Sequence, residues 1–222
     1  MTEGGEMNSD SDNVRLENIE ACVFDAYGTL FDVYSIGALA EKCYPGKGDA
    51  LAALWRDKQI EYTRLRTMCS MYKPFWEVTQ DALIFSCKKL GLQLDFDAQN
   101  ILMGQYAKLQ AFPENLAVLQ QLRQMNLKLA ILSNGNLHML ESAVNAAGMQ
   151  GLFSHLLSVD AVKKFKTAPE AYQLGPDVFQ ALIVRGDGDG PRHPHQGEPH
   201  YVFAQAQFPG QVGHRGDPAL LR

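Results

Sequence analysis

Asp25 stands at the end of a short apolar run, where its carboxylate could act as a nucleophile. The run, residues 19–24, includes a β-branched residue and an aromatic residue, and Gly28 soon afterwards permits a sharp bend. This pattern predicts a buried strand that ends in a carboxylate. Because ligands bind beyond the carboxyl ends of the strands in open parallel sheets, we expect Asp25 at a ligand site. A solvated turn aspartate is the alternative for an isolated Asp-x-x-Gly.

Hydroxyl and amide groups stand where they could meet this carboxylate. Thr29 lies one turn after Asp25, and its hydroxyl is placed either to hydrogen-bond the carboxylate or to cap a helix. Ser133 and Asn134 follow a second apolar run, residues 127–132, which predicts another strand. Because the carboxyl ends of neighbouring parallel strands meet at one edge, Ser133 and Asn134 should face Asp25. A simple helix N-cap is the alternative for these two residues.

Two basic side chains are candidates that composition alone does not distinguish from solvated charges. Lys166 belongs to a basic loop with Lys163 and Lys164, so three lysines are available there. Arg56 is one charge on an amphipathic helix, where most arginines are solvated. Their assignment therefore depends on a wider pattern.

Residues 33–108 show only helical spacing of apolar side chains, at intervals of three, four and seven residues. No strand-like alternation of apolar and polar residues interrupts them. We therefore expect this region to form a helical cap inserted after the first strand.

Helix and strand patterns alternate after the cap. A helix beginning at Pro113 precedes the strand at 127–132, and a short third strand is expected at 156–159. Such alternation implies parallel strands joined by crossovers, so we predict an α/β fold with a doubly wound parallel sheet. The α/β core is then built from residues 19–32 and 109–179.

Composition limits the classes of partner. The chain has 222 residues, a hydrophobic content of 46% and a net charge of -5, so neither nucleic acid nor an anionic membrane is expected as a partner. No apolar run reaches the roughly 20 residues that span a bilayer. Residues 1–18 lack a signal pattern and are expected to form a disordered leader. The 4 cysteines include no Cys-x-x-Cys pair, which favours free thiols in a reducing cytoplasm.

The segment around Asp25 resembles the nucleophile motif of the haloacid dehalogenase superfamily, an Asp at a strand end followed by x-x-Gly-Thr-Leu. In that superfamily the Asp forms a covalent intermediate. Its phosphatases usually carry a second Asp two residues later and bind magnesium, whereas this chain has Tyr27, whose reference pKa of about 10 does not suit that acid. The resemblance is therefore to the (S)-2-haloacid dehalogenase branch, which uses no metal and no other cofactor. The matching segment reads Asp25-Ala26-Tyr27-Gly28-Thr29-Leu30.

The other candidates resemble further motifs of this branch. Ser133 resembles the second-motif hydroxyl, which helps to hold the nucleophile and the substrate carboxylate. Lys166, selected by its spacing to Pro169, resembles the third-motif lysine that keeps the nucleophile ionised. Leu54-Trp55-Arg56 resembles the cap helix whose arginine accepts the departing halide, a role that suits a weakly hydrated guanidinium.

The resemblance implies hydrolytic dehalogenation of short (S)-2-haloalkanoic acids to (R)-2-hydroxy acids, through an ester on Asp25. It also implies a homodimer. A magnesium-dependent phosphatase and a catalytically impaired remnant of the family are the alternatives. The implied catalytic residues are Asp25, Thr29, Arg56, Ser133 and Lys166. The implied substrate-binding residues are Ala26, Tyr27, Arg56, Ile60, Phe75, Ser133, Asn134 and Tyr172.

The resemblance begins near residue 19 and stops after Phe179. The family then has a strand ending in Ser-x-Asn-x-x-Asp, in which the Asn holds the substrate region and the Asp assists the hydrolytic water; this chain matches neither. Residues 180–222 are rich in Gly, Pro, His and Arg and show no helical or strand period, so we expect the sheet to lack its last strands. Three interpretations remain open. They are a shifted reading frame relative to the ancestral gene, a flexible low-complexity tail, and a metal site at His193, His195 and His200.

Overall fold

A parallel sheet of five strands forms the centre of the computed structural model, which describes residues 19–179, 182–185 and 200–204. The strand order is β3-β2-β1-β5-β4, and every neighbouring pair is parallel. The predicted α/β fold is therefore confirmed. The strands are β1 (Ile19–Phe24), β2 (Lys128–Ser133), β3 (His155–Ser158), β4 (Leu182–Arg185) and β5 (His200–Ala204).

The first strand, β1, has the bounds that the sequence predicts and lies in the middle of the sheet. Val23 is fully buried on it, as expected for a strand covered on both faces. A tight turn follows, in which the amide of Leu30 donates to the carbonyl of Ala26 over 2.9 Å. Gly28 has φ 99° in this turn, a conformation that favours glycine. The chain thus reverses immediately after Asp25 and leaves its carboxylate at the strand end.

Every named element between β1 and residue 107 is a helix. The second and third of these helices pack against each other, and the second buries Leu51 and Trp55 on its inner side. Asp95 caps the fourth helix by accepting a hydrogen bond from the amide of Ala98 over 2.8 Å. The exact boundaries of a cap, at 33 and 108, stay a prediction. The helices are α1 (Gly37–Cys43), α2 (Gly48–Met68), α3 (Phe75–Lys89) and α4 (Phe96–Tyr106).

The second half of the fold follows the expected alternation with small shifts. The strands expected at 127–132 and 156–159 each lie one residue from their predicted bounds. The prediction of a helix starting at Pro113 was wrong, because Pro113 lies in a turn and the helix begins two residues later. The helices are α5 (Asn115–Gln124), α6 (Leu137–Ala146) and α7 (Pro169–Phe179), and a 3-10 turn spans Val159–Ala161.

Two strands come from the tail, which corrects the expectation that the sheet lacks its last strands. Strand β5 pairs with β1 from Ile19 to Phe24, and β4 pairs with β5 outside it. Both segments consist mainly of β-branched, aromatic or aliphatic residues, which suit strands even though Gly and Pro surround them. The three interpretations of the tail stay open, since His193 and His195 lie outside the described residues.

Two apolar clusters cover the faces of this sheet. The larger cluster joins the helices α1 to α4 to one face and includes Trp55, Phe75 and Phe165. The smaller one, on Ala21 and Val23 of β1 and their neighbours, packs against side chains from α7. The larger cluster thereby holds the helices over the carboxyl end of β1. In the described part of the chain, no helix has the length and apolarity to cross a membrane.

Candidate active site

Asp25 and Lys166 form a buried ion pair at the carboxyl edge of the sheet. The Lys166 Nζ lies 3.0 Å from Asp25 Oδ1, and the two residues are only 7% and 8% exposed. The same ammonium donates to the carbonyl of Leu132 at the end of β2. Burial lowers the pKa of Lys166 below its ordinary value, and the charge of Asp25 opposes that shift. The pair therefore gives the carboxylate a fixed orientation in a poorly solvated place.

The end of β2 positions the lysine. Asn134 Oδ1 accepts a hydrogen bond from the backbone amide of Lys166 over 2.8 Å. Ser133 Oγ accepts one from the amide of Gly135 over 3.1 Å, which closes a turn of the kind that Ser and Asn favour. Because β1 and β2 are parallel neighbours, Ser133 and Asn134 lie on the same edge as Asp25, as the sequence predicts.

Arg56 reaches this edge from the helical region. It lies on α2, is 6% exposed, and its Nη2 donates to the backbone carbonyl of Tyr27 over 2.9 Å. Its Nη1 donates to Gln59 Oε1 over 2.8 Å. The guanidinium is therefore held between α2 and the turn that follows Asp25. An arginine that looks like an ordinary surface charge in the sequence is buried against the candidate nucleophile's loop.

Tyr27 forms an apolar wall beside the carboxylate. It is 3% exposed, and its ring lies 5.7 Å from the ring of Phe75 and 5.9 Å from that of Tyr106. Its hydroxyl has no hydrogen-bond partner among the residues that the structure describes. Burial raises the pKa of Tyr27 well above its usual range, with smaller contributions from Tyr106 and Asp25. The phenol is therefore neutral and a poor proton donor at physiological pH.

A cavity of about 60 Å³ lies between α2 and the edge of the sheet. It brings together eight of the residues that the sequence singles out, from five separate parts of the chain. The polar lining includes three cationic side chains and one carboxylate, so the cavity suits an anionic ligand. The eight residues are Asp25, Tyr27, Arg56, Ile60, Phe75, Ser133, Asn134 and Lys166.

Three predicted site residues lie outside the cavity wall. Ala26 is fully buried in the larger apolar cluster. Thr29 is half-buried, and its backbone carbonyl accepts from Asn115 Nδ2 over 3.0 Å. Tyr172, on α7, packs against the smaller cluster with Ala21. The roles of these three residues at the site stay predictions.

The cavity also includes residues that sequence reasoning missed. Gln59 and Thr63 lie three and seven residues after Arg56, on the same face of α2 as Ile60. Helical spacing from Arg56 was therefore a signal that could have found them. Arg64 and Thr167 complete the lining, and no sequence pattern singles them out. Within the described ranges, no group of three or more His, Cys, Asp or Glu side chains is arranged to hold a metal ion.

Comparison with known proteins places the chain in a family. The model of the haloacid dehalogenase-like hydrolases matches residues 19–180. The chain is 43% identical over 164 residues to the (S)-2-haloacid dehalogenase of Pseudomonas sp. (strain YL), covering 74% of this chain and 71% of that protein. It is also 43% identical over 164 residues to haloacetate dehalogenase H-2 of Moraxella sp. (strain B), covering 74% and 73% of the two chains.

A solved structure agrees with these sequence relatives. The L-2-haloacid dehalogenase from Xanthobacter autotrophicus with chloropropionic acid covalently bound superposes with a TM-score of 0.70. The sequence identity is 38%, and the match covers 75% of this chain and 69% of that one. The match of the family model includes β1 and the residue that follows it, Asp25. This chain belongs to the haloacid dehalogenase-like hydrolases.

Proposed function

We propose that this protein hydrolyses the carbon–halogen bond of short (S)-2-haloalkanoic acids and releases (R)-2-hydroxy acids. The observation that carries the proposal is the Asp25 carboxylate, which is paired with buried Lys166 and lines a small cavity that Arg56 also lines. A nucleophile and a cationic group that can accept a leaving anion, both at one small cavity, suit a displacement at carbon. The names of the sequence relatives support the same substrate class.

In the first step, Asp25 Oδ2 attacks the carbon that bears the halogen. A carbon–oxygen bond forms as the carbon–halogen bond breaks, and the halogen leaves as halide with the bonding electrons. Lys166 binds Oδ1 and keeps the carboxylate ionised and aligned, while the guanidinium of Arg56 stabilises the developing halide charge. Attack from the side opposite the halogen inverts the configuration at that carbon.

In the second step, water attacks the carbonyl carbon of the Asp25 ester. The carbon–oxygen bond of the ester breaks on the side of Asp25, so the product keeps the oxygen that Asp25 supplied. One proton is released, and the Asp25 carboxylate is regenerated with an oxygen from water. In this scheme Ser133 and the amides near it hold the substrate carboxylate through both steps.

The size and charge of the cavity favour a short, anionic substrate. A cavity of about 60 Å³ has room for roughly four to six atoms of the size of a water molecule. Its cationic side chains complement a carboxylate, and Tyr27, Ile60 and Phe75 provide apolar contacts for the halogen. These properties suit small acids such as 2-chloropropionate.

Tyr27 favours the proposed dehalogenase activity over the activity of a phosphatase of the same superfamily. A phosphatase of this superfamily usually has a second acid two residues after the nucleophile, and the buried phenol here has a pKa raised too far for that role. A catalytically impaired remnant of the family is the remaining candidate, and measured turnover decides it.

The compartment and the oligomeric state are part of the proposal. The four cysteines are free thiols, which suits a reducing cytoplasm. Leu65 and Met68 on α2 and Ile84 on α3 are exposed apolar side chains, which suit contact with a second copy in a homodimer. Light scattering after size-exclusion chromatography measures the oligomeric state directly, and a monomer at micromolar concentration would contradict this part.

The deciding experiment measures halide release from each enantiomer of 2-chloropropionate, with a chelator present and Asp25→Asn as the inactive control. Release from the (S) acid alone, lost in the variant, is the expected result. Single turnover in isotope-labelled water then tests the ester, because the label should enter Asp25 and not the product. Label in the product alone rules out the ester, and no release from a folded protein favours the remnant.

A further inference from the structure

The side chain of Gln59 is a fully buried junction of hydrogen bonds next to Arg56. Its Oε1 accepts from Arg56 Nη1 over 2.8 Å and from the hydroxyl of Tyr106 over 2.9 Å. Its Nε2 donates to Thr79 Oγ1 over 2.6 Å. Gln59 and Thr79 are both 0% exposed, so water does not compete for these bonds. One amide therefore joins α2, α3 and α4 at the wall of the cavity.

The chemistry of the partners allows only one orientation of this amide. Arginine has donors and no acceptor, so the group facing Arg56 must be the amide oxygen. The hydroxyl of Thr79 donates to the carbonyl of Phe75 over 2.8 Å, so it must accept from the amide nitrogen. A flipped amide would set donor against donor on Arg56. The bonds of the amide oxygen to Arg56 and of the amide nitrogen to Thr79 therefore both require the oxygen of Gln59 to face the guanidinium.

Aromatic packing holds the same junction in place. The ring of Tyr106 lies 5.9 Å from Tyr27 and 5.0 Å from Trp55. The indole of Trp55 donates to the carbonyl of Thr79 over 2.7 Å. The other side of the guanidinium meets the backbone carbonyl of Tyr27. Arg56 is thus held between two fixed and uncharged acceptors.

We infer that Gln59 is a positioning residue that aligns Arg56 for the departing halide. The inference rests on the proposed function, because it assigns a role through Arg56. A neutral acceptor orients the guanidinium and leaves its full positive charge for the halide. A carboxylate at the same position would accept the same bonds but would cancel that charge, so an amide suits the position better.

The test compares leaving groups in single-turnover rates of ester formation. Chloride leaves less readily than bromide and needs more stabilisation, so a misaligned Arg56 should slow chloride loss more. We compare (S)-2-chloropropionate with (S)-2-bromopropionate in the wild-type protein, Gln59→Leu and Gln59→Glu. Ser86→Ala is the matched control, because it removes a buried hydrogen bond within α3 that does not join this network.

For Gln59→Leu, ester formation from the chloride substrate should fall by roughly 10- to 100-fold, with a smaller loss for bromide. Hydrolysis of the ester should keep its rate, since halide has already left. Gln59→Leu should thus raise the ratio of the rate of ester formation from the bromide substrate to that from the chloride substrate. Gln59→Glu should raise the same ratio, and Ser86→Ala should keep the wild-type ratio. If Gln59→Leu does not fold, Tyr106→Phe removes one donor to the amide and should raise the ratio by a smaller factor.

An equal loss for both halides, or slower ester hydrolysis alone, would overturn the role of Gln59 and leave the proposed function intact. Absence of halide release in the wild-type protein would instead remove the proposed function together with this inference. A raised ratio in Ser86→Ala would show that general loosening of the helical region causes the effect, which also overturns the role of Gln59.

Discussion

Lys166 Nζ and Asp25 Oδ1 lie 3.0 Å apart, although 141 residues separate the two in the chain. Each side chain is almost completely buried, so neither charge would be stable there alone. The parallel pairing of β1 with β2 and the bond from Lys166 to the Leu132 carbonyl bring them together. The candidate nucleophile thus depends on a residue from the far half of the chain.

The ion pair predicts a specific pH dependence of the activity. The proposed mechanism needs Lys166 charged. Burial lowers the pKa of Lys166 below the ordinary 10.5, so the rate of ester formation should begin to fall below pH 10.5. Lys166→Arg keeps its charge at higher pH and should move that loss upward. Single-turnover rates between pH 6 and about 11 measure it. If the rate of Lys166→Arg falls at the same high pH as that of the wild type, titration of Lys166 does not cause the loss.

The same residue should make stability rise with pH. Between its lowered pKa in the folded state and 10.5, the unfolded chain binds more protons at this position than the folded chain. The free energy of unfolding therefore increases with pH across that window. Urea unfolding of the wild-type protein and Lys166→Met should show a steeper rise for the wild type. A parallel pH dependence in the two proteins would contradict the lowered pKa.

Gly135 should control the position of Tyr27. A methyl group added at Gly135 would lie 2.7 Å from Tyr27 Cε2, so the ring must move. Gly135→Ala should reduce kcat/KM by roughly tenfold or more and cost about 1–3 kcal/mol of stability. Gly104→Ala is the matched control, because its methyl group would meet nothing within 4 Å and should stabilise α4 by about 0.5–1 kcal/mol. Equal kinetics for the two variants would refute this prediction.

A hydrogen bond from Tyr72 to Asp160 should stabilise the contact between the helical region and the sheet. The hydroxyl of Tyr72, before α3, donates to the carboxylate of Asp160, after β3. Tyr72→Phe should lower the free energy of unfolding by about 1–2 kcal/mol, as expected for a partly buried bond to a charged group. A double-mutant cycle with Asp160→Ala isolates the pair from the neighbouring Lys163. A coupling energy near zero would mean that the bond adds no stability.

Removal of residues 180–222 should harm solubility before it harms the chemistry of the site. The deletion removes β5, which pairs with β1 along its length and thus covers one edge of the strand that leads to Asp25. An exposed central edge favours association between chains. Size-exclusion chromatography should show aggregates for the truncated chain and a defined oligomer for the full chain. A soluble, active truncated protein would show that the tail is dispensable.

The sequence predicts the elements that depend on local pattern. Strand β1 has its predicted bounds, because an apolar run ends at a charged residue and a glycine turn. Ser133 and Lys166 reach the cavity because parallel strands and short loops bring such residues to one edge. The prediction of a helix that begins at Pro113 was wrong because the proline ring suits a helix start and a turn equally well.

Features that depend on long-range packing gave no local signal. Gln59 and Thr79 lie on different helices, and nothing in either segment indicates that their side chains meet. Strand β5 was missed because its apolar residues stand among Gly, Pro and His, which hide the period of a short strand. Tyr172 packs against the smaller apolar cluster, and its role as a site residue stays a prediction.

The position of β1 between β2 and β5 also has a consequence for synthesis on the ribosome. Strand β1 is made first among the described strands, but β5 is made last. The backbone groups along one side of β1 therefore lack their partners on β5 until almost the whole chain has emerged. The nascent protein carries an unfinished sheet during this time, and this is the stage at which it most needs protection by chaperones.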